Sequence, residues 1–396
     1  MAGAERLDPR YGLYLAAAAS WFCGLGLQQV MLPWLVVGEL GASAEWTGTV
    51  QMASMLPGLV LLLVGGALAD RRDPRRLLTL LHVLAALPAL ALSFAIGSER
   101  LSIAVVIGCA MAMGALNALS NPARDSMLSR VAGRDVARAV TGLTIAQFAS
   151  QGLGMGVAGS ARWLGTAPVL LAQAVIVALG AVLVLRLPLR QLAPSGAPAP
   201  GEYLAGLRFV LHSPLRAVLV LTCGIGFLFS ASYNVVLPVL VRQVYGGDVS
   251  DVSLVMLMFP AGTILGSFVL LSRGGIRRKG RALALSLVFA ATSVMGCGLG
   301  LPFPAVVAAA FVWGLAGAVF LNMGRTLFQV RAPAAERGRV LAVNHLGFMA
   351  AAPLGALLSG FVAAELGPRT ALLGFGAGML LLVGLVTLAS DVTRME

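Results

Sequence analysis

Long apolar runs constrain this chain more than anything else in it. Cutting the 396 residues at charge clusters and at Gly/Pro breaks leaves twelve such runs, at about 12–37, 46–69, 77–97, 101–121, 139–161, 166–187, 215–241, 251–271, 282–300, 303–323, 340–363 and 369–389. A helix needs ~20 residues to cross the hydrocarbon of a bilayer, and every run meets that length to within a residue or two. In lipid a lone segment satisfies its own backbone only as a helix, so the expected fold is all-α and polytopic. Composition agrees: 59% of residues are hydrophobic and 11% charged, too apolar for a soluble domain of this size.

The formal charge of +12 would suit a nucleic-acid binder only if it formed a basic face on a soluble domain with stacking aromatics. The cations stand instead in short connections between apolar runs. With the N-terminus inside, 24 of the 28 Lys and Arg fall on the inner side, and the outer connections hold only Arg100, Arg162, Arg242 and Arg369. That asymmetry orients both termini toward the cytoplasm. Residues 1–10 carry Glu5, Arg6, Asp8 and Arg10 ahead of an apolar run much longer than a signal-peptide core, so the first helix is expected to be retained. Cys23, Cys109, Cys223 and Cys297 lie inside apolar runs without CxxC spacing and read as small packing residues.

Between the sixth and seventh runs lies 188–213, with the Pro- and Gly-rich Ala193–Gly201 followed by a short amphipathic segment. The expected organisation is therefore an N-terminal six-helix bundle (1–187), a central cytoplasmic linker (188–213) and a C-terminal six-helix bundle (214–396). The two halves repeat. At a constant offset of 201, Asn121, Arg124, Arg130, Asp135 and Arg138 fall on Asn322, Arg325, Arg331, Glu336 and Arg339. The same register carries Leu153, Gly154 and Gly159 onto Leu354, Gly355 and Gly360, Gly65 onto Gly266, and Arg72 onto Arg273. This is the pattern of parallel repeats related by an axis along the membrane normal, so the halves are pseudo-symmetric. Asp70 breaks the repeat: its counterpart is Leu271.

Asp70 belongs to a basic hinge, Gly65–Leu78, in which an acid leaves the second run and four arginines and a proline precede the third. Six plus six helices, a long central connection and this hinge resemble the major facilitator superfamily over essentially the whole chain. Gly66-Ala67-Leu68-Ala69-Asp70-Arg71 matches the first half of that superfamily's signature loop; Asp73 and Pro74 depart from the second half. Asn121-Pro122-Ala123-Arg124, the approach Glu336-Arg337-Gly338-Arg339-Val340 and Pro353–Gly360 resemble the twelve-helix branch that contains enterobactin and macrolide exporters. The helix-5 antiporter motif is present only in the degenerate form Gly152–Gly159, and no arginine precedes Arg124 in the fourth run.

The resemblance implies a gate at Gly66, Asp70, Arg71, Arg124, Gly338 and Arg339, with the Asp70 carboxylate set against the N-terminus of the eleventh helix, where a negative charge is favoured. It also implies that the first, second, fourth, fifth, seventh, tenth and eleventh helices surround a cavity and the third, sixth, ninth and twelfth face lipid. In-helix polar residues sort accordingly, and Gln28, Gln29, Asn117, Gln147, Gln151, Tyr233, Asn234, Asn322 and Asn344 are the candidates for its lining; interhelical hydrogen bonding is the competing explanation for each. No acid stands in the middle of any run, which argues for a neutral, apolar or amphipathic cargo rather than a small ion. Proton coupling would then fall to Asp70, Asp125 or His345. The paired Pro33/Pro238 and Pro57/Pro260 predict kinks in corresponding helices. The glycine series of the fifth and eleventh runs predict close packing across the interface of the halves.

No Walker sequence, HExxH or nucleophile elbow occurs, and no metal-ligand constellation, so neither a cofactor nor a metal is expected. The expected function is secondary active transport in a bacterial plasma membrane by a monomer. The cargo is a small amphipathic or hydrophobic compound (drug-like molecule, siderophore or secondary metabolite), exported by alternating access in exchange for protons. Transport of lipid, lysolipid or nutrient on the same fold is the alternative. A polytopic membrane enzyme is remote, because His82, His212 and His345 are scattered rather than clustered with acids.

Overall fold

The structure is a computed structural model and describes residues 10–71, 73–132, 136–187, 200–272, 276–333 and 337–395. Within these, the side chains of residues 60, 62–71, 129, 136–138, 200–205, 337 and 338 lie outside the description. Among the described residues there is no strand.

The first half runs α1 (Tyr11–Trp34, continued by a π turn Leu35–Glu39), α2 (Ala44–Arg71), α3 (Pro74–Gly97), α4 (Ile103–Val131), α5 (Val136–Gly159), the short α6 (Ala161–Leu164) and α7 (Thr166–Leu185). The second begins with α8 (Pro200–Leu211), the short amphipathic segment. It continues as α9 (Leu215–Phe229), which passes through a π turn, Ser230–Val236, into α10 (Leu237–Tyr245). Then follow α11 (Val249–Ser272), α12 (Lys279–Gly298), α13 (Phe303–Arg331), α14 (Arg337–Leu366) and α15 (Pro368–Ala389). Among the described residues ten helical bodies are long and apolar enough to span a membrane. The remaining two of span length are α2 and α5, of 28 and 24 residues.

Helix boundaries follow local chemistry. Asp73 caps α3, its carboxylate accepting from the Arg75 N–H at 2.8 Å, and Pro74 occupies the first turn, where a missing N–H costs nothing. Gly165 and Gly367 precede α7 and α15 at φ 84° and 79°, a backbone region that glycine enters without penalty. Both π turns lie beside a predicted kink proline: Leu35–Glu39 follows Pro33, and Ser230–Val236 precedes Pro238. Removing a backbone donor favours such a widened turn.

The chain forms two compact units, one of Met1–Leu40 with Ala53–Ala197, the other of Gly41–Met52 with Pro198–Glu396. In the first, α1 packs on α5 and α7, and α3 on α4 and α7; in the second, α9 packs on α14, α12 on α13 and α15, and α11 on α13. The second unit also takes in the first turns of α2, because glycines bring backbone to backbone there. A Cβ on Gly48 would stand 2.5 Å from the Ala356 carbonyl oxygen and 3.0 Å from Gly360 Cα.

The glycine series bear out one expectation at Gly360, which meets Gly48 of α2, and correct it at two other positions. Gly154 lies against the Cys23 carbonyl of α1, where a Cβ would approach to 2.0 Å, and Gly355 lies against the Phe227 carbonyl of α9, where it would approach to 2.3 Å. Each therefore tightens a helix pair inside its own unit rather than across the interface of the halves. The reason is the α1–α5 and α9–α14 crossing, which has the glycine-to-carbonyl spacing of small-residue membrane packing.

On α3, Leu80, Val83, Leu87, Leu90 and Phe94 form an uncovered stripe with helical spacing, and Leu171, Val175, Leu179 and Val182 do the same on α7. Leu285 with Phe289 on α12 and Leu381, Leu385 and Leu388 on α15 repeat the pattern. Such stripes are the surface a bilayer would cover.

Candidate transport site

In the first unit a polar knot surrounds Arg124 near the C-terminal end of α4. Its guanidinium carbon lies 5.0 Å from the centre of the Trp21 ring and 4.8 Å from that of Phe22, both on α1, and the group donates to the Asn121 side-chain oxygen. Arg124 is 4% exposed, and its Nη1 has no hydrogen-bond partner among the described residues. The rings stabilise it through their quadrupoles and replace part of the water it has lost. Tyr14 donates to the Arg124 carbonyl oxygen at 3.1 Å, and Trp21 Nε1 donates to Asn117 Oδ1 at 3.3 Å. Trp21 also meets the buried His82 ring edge to face at 4.9 Å, and His82 Nδ1 lies 2.8 Å from the Leu78 carbonyl oxygen. Asp125, next along α4, is partly exposed and attracts the Arg124 guanidinium.

The same unit carries several of the glutamines named from sequence. Gln151 Nε2 donates to Gln29 Oε1 at 3.0 Å, tying α5 to α1, and Gln147 is half-buried one turn earlier. Gln28 lines a void of about 10 Å³, room for roughly one water, together with Gln173 and apolar side chains. Its Oε1 is buried and has no partner among the described residues. Gln173 of α7, 2% exposed, donates to the Gly24 carbonyl oxygen at 3.0 Å and was not picked out from sequence, because it sits on a helix expected to face lipid.

The second unit builds an aromatic chamber. Phe229 stacks on Tyr233 at 4.7 Å and tilts against Phe259 at 4.9 Å, Trp313 at 5.8 Å and Phe348 at 6.2 Å. Five aromatics from α9, the π turn, α11, α13 and α14 thus converge. Four of them, with Phe320, Ile225 and Leu287, line an almost wholly apolar cavity of about 110 Å³; Tyr233 backs it through Phe229. The widened turn turns Ser232, Tyr233 and Asn234 all inward. Tyr233 OH donates to the Met256 carbonyl oxygen, and Gln51 Nε2 donates to the Asn234 carbonyl oxygen at 3.4 Å. Ser232 Oγ is buried without a partner among the described residues. Thr222 Oγ1 donates to Asn344 Oδ1 at 3.1 Å across α9 and α14. Asn322, an uncovered residue, donates to Ser267 Oγ at 3.3 Å and to the Ala318 carbonyl oxygen at 2.8 Å. His345 is likewise uncovered, one position after Asn344 on α14.

The structure thus ties most of the named polar residues to a neighbouring helix and gathers Tyr233 and Asn234 beside the chamber. Phe229, Phe259, Trp313 and Phe348 were missed from sequence because each shares its apolar run with at least one other aromatic and is indistinguishable from ordinary packing until the helices converge. Of the gate, Gly66, Asp70 and Arg71 stand in the last turns of α2 and Gly338 in the first turn of α14, with side chains outside the described residues. Arg339 is half-buried, and Gly206 of α8 approaches its backbone so closely that a Cβ there would lie 3.0 Å from the Arg339 carbonyl oxygen. Among the described residues no group of His, Cys, Asp or Glu could hold a metal.

Span-length helices in two repeated sets, with polar pairs and an aromatic chamber buried among them, are the architecture of a multi-pass membrane transporter. A sequence model of the Major Facilitator Superfamily matches residues 13–305 and again 219–394, and the chain belongs to that superfamily. It is 29% identical over 402 residues to the multidrug efflux pump Tap of Mycolicibacterium fortuitum, covering 93% of each chain. To the staphyloferrin A transporter of Staphylococcus aureus it is 28% identical over 264 residues, 63% of this chain and 64% of that one. Among solved structures it superposes on the nucleoside transporter NupG with a TM-score of 0.76 at 14% identity, over 96% of this chain and 98% of that one. A POT family transporter in complex with 5-aminolevulinic acid gives 0.77 at 13% identity, over 99% and 98% of the two chains. At these identities the structural likeness speaks to fold alone.

Proposed function

We propose that this superfamily transporter exports a small amphipathic or hydrophobic compound, aromatic in part, from the cytoplasm. The observation that carries the reading is the chamber of Phe229, Phe259, Trp313 and Phe348, whose apolar lining would bind a flat hydrophobic cargo by ring stacking and exclude hydrated ions. The similarity to a multidrug efflux pump along 93% of both chains supports export, and that to a staphyloferrin A transporter extends the candidates to siderophores.

The protein works as a monomer in the bacterial plasma membrane, with both termini in the cytoplasm as the arginine asymmetry directs. Export is driven by alternating access in exchange for protons. Gly66, Asp70, Arg71, Arg124, Gly338 and Arg339 form the inner gate, and Asp70, Asp125 and His345 are the proton-carrying candidates. Gln28, Gln29, Asn117, Gln147, Gln151, Tyr233, Asn234, Asn322 and Asn344 supply the polar part of the pathway.

The deciding experiment is efflux of an aromatic fluorescent dye from a pump-deleted bacterial host. Cells expressing the protein should hold less dye than vector controls, and collapsing the proton gradient should abolish the difference. Equal dye in both strains would overturn the export reading, and efflux that persists without a gradient would overturn the coupling.

A further inference from the structure

A second feature of the C-terminal unit lies away from the aromatic chamber. An open groove of about 530 Å³ runs between α12 and α15, and its floor is apolar, made by Ala284, Leu285, Val288, Leu380 and Val383. Its rim carries Arg278, Arg281 and Arg394, with Thr387 and Thr393 beside them. Arg394 reaches the rim because the C-terminal tail is pinned back onto α12. The Gly280 N–H donates to the Met395 carbonyl oxygen at 3.0 Å, and Val392 is fully buried. A Cβ on Gly280 would meet the Val392 carbonyl oxygen at 1.7 Å, so the tail needs glycine there. Among the described residues the acid beside the rim is Asp391, 3.4 Å from Arg394, and both side chains are more than 80% exposed, so that pair is weak.

The positive-inside rule asks for cations near this end of the helices but not for this arrangement. The internal repeat separates the two. Counting back from Gly97 and Gly298, the last residues of α3 and α12, Arg278 and Arg281 replace Leu77 and Leu80. Counting forward from Gly165 and Gly367, Gly384 replaces Val182. A Cβ at Gly384 would meet nothing within 4 Å, so the groove is open where the first half carries a valine. At these matched positions the two rim arginines and the missing side chain in the wall are particular to the second half.

We propose that this groove is a binding site for an anionic phospholipid, its phosphodiester headgroup held by Arg278, Arg281 and Arg394 and one acyl chain laid along Leu285, Val288, Leu380 and Val383. Arginine suits the headgroup because its planar fork can meet two phosphate oxygens at once, and the Thr393 hydroxyl can donate to a third; the Thr387 hydroxyl already donates to the Val383 carbonyl oxygen at 2.8 Å. The apolar floor below a cationic rim matches a lipid and not a soluble anion. Basic pockets between membrane helices are a recognised way of holding such headgroups. The proposal does not depend on which cargo the chamber takes.

Native mass spectrometry of the full-length protein in detergent, titrated with phosphatidylglycerol, phosphatidylcholine or inorganic phosphate, tests it. The wild type should retain phosphatidylglycerol in preference to phosphatidylcholine, and equimolar phosphate should not displace it. Replacing Arg278, Arg281 and Arg394 together by Gln should weaken phosphatidylglycerol retention by about tenfold or more. Gly384→Leu keeps all three arginines and places its side chain in open space, so the fold survives; it should weaken retention of the same lipid by blocking the groove. Equal retention of both lipids by the wild type, displacement by phosphate, or unchanged retention in Gly384→Leu would each overturn the site.

Discussion

Arg124 is a charge that folding has taken out of water: it is 4% exposed, and what surrounds it is the Trp21 and Phe22 rings, the Asn121 amide oxygen and the Coulomb attraction of the neighbouring Asp125. Removing a buried cation's solvation costs several kcal/mol, and two aromatic faces and one amide oxygen return only part of it, about 2 kcal/mol per desolvated cation–π contact. A residue kept at such a cost for stability alone would be replaced to advantage by an apolar side chain of similar length. Arg124→Met should therefore leave the thermal midpoint of the purified protein unchanged or higher while dye efflux falls by tenfold or more. Wild-type efflux in the stable variant would remove Arg124 from the gate. The chamber gives a second prediction at the same scale. Aromatic pairs contribute about 0.5–1.5 kcal/mol beyond their buried area, so Trp313→Leu should raise the half-saturating concentration of an aromatic dye about threefold to tenfold. An aliphatic cargo of equal size should be affected less, and equal losses for both would mean that Trp313 acts by packing and not by stacking on cargo.

Helix pairs set the next scale, and there the two units solve one packing problem twice. Gly154 on α5 and Gly355 on α14 each admit a carbonyl of the partner helix, Cys23 on α1 and Phe227 on α9, into the space a side chain would fill. An added methyl has nowhere to go, and overpacking of this kind costs about 1–3 kcal/mol. Gly355→Ala should lower the unfolding free energy measured by detergent titration by that amount, whereas Gly156→Ala, with nothing within 4 Å of its new Cβ, should stay within about 0.5 kcal/mol. Equal effects at the two positions would contradict the carbonyl contact. This regularity is legible in the sequence, because Gly154 and Gly355 stand 201 residues apart. Its meaning is not: a glycine announces a close approach without saying to which helix. The same holds at the site. Tyr233 and Asn234 could be named because polar groups in apolar runs are few, but Phe229, Phe259, Trp313 and Phe348 come from four separate runs and acquire meaning only through convergence. Gln173 was passed over for the opposite reason, since the helix bearing it has a lipid stripe on one side and a buried polar contact on the other.

For the molecule as a whole, a repeat alone gives two equivalent halves, and a transporter that alternates needs a bias that distinguishes them. Within the hinge the candidate for that bias is the proposed gate residue Asp70 in the last turns of α2, whose counterpart Leu271 in the last turn of α11 is 81% exposed and makes a neutral, apolar exit. A carboxylate that favours one arrangement of the inner gate shifts the equilibrium only by its differential interaction with the two states. A bias of ~1.4 kcal/mol changes the population ratio tenfold. Asp70→Asn removes the charge with little change of shape, so it should lower efflux by tenfold or more while dye binding to the purified protein stays within about threefold of wild type. Adding Leu271→Asp should not restore transport, because the acid would then stand at the repeat-related position against a different set of partners. If Asp70→Asn pumps at the wild-type rate, the asymmetry of the hinge is topological only and the gate must be sought elsewhere; if it loses binding along with efflux, Asp70 holds the fold or the cargo and not the equilibrium between states.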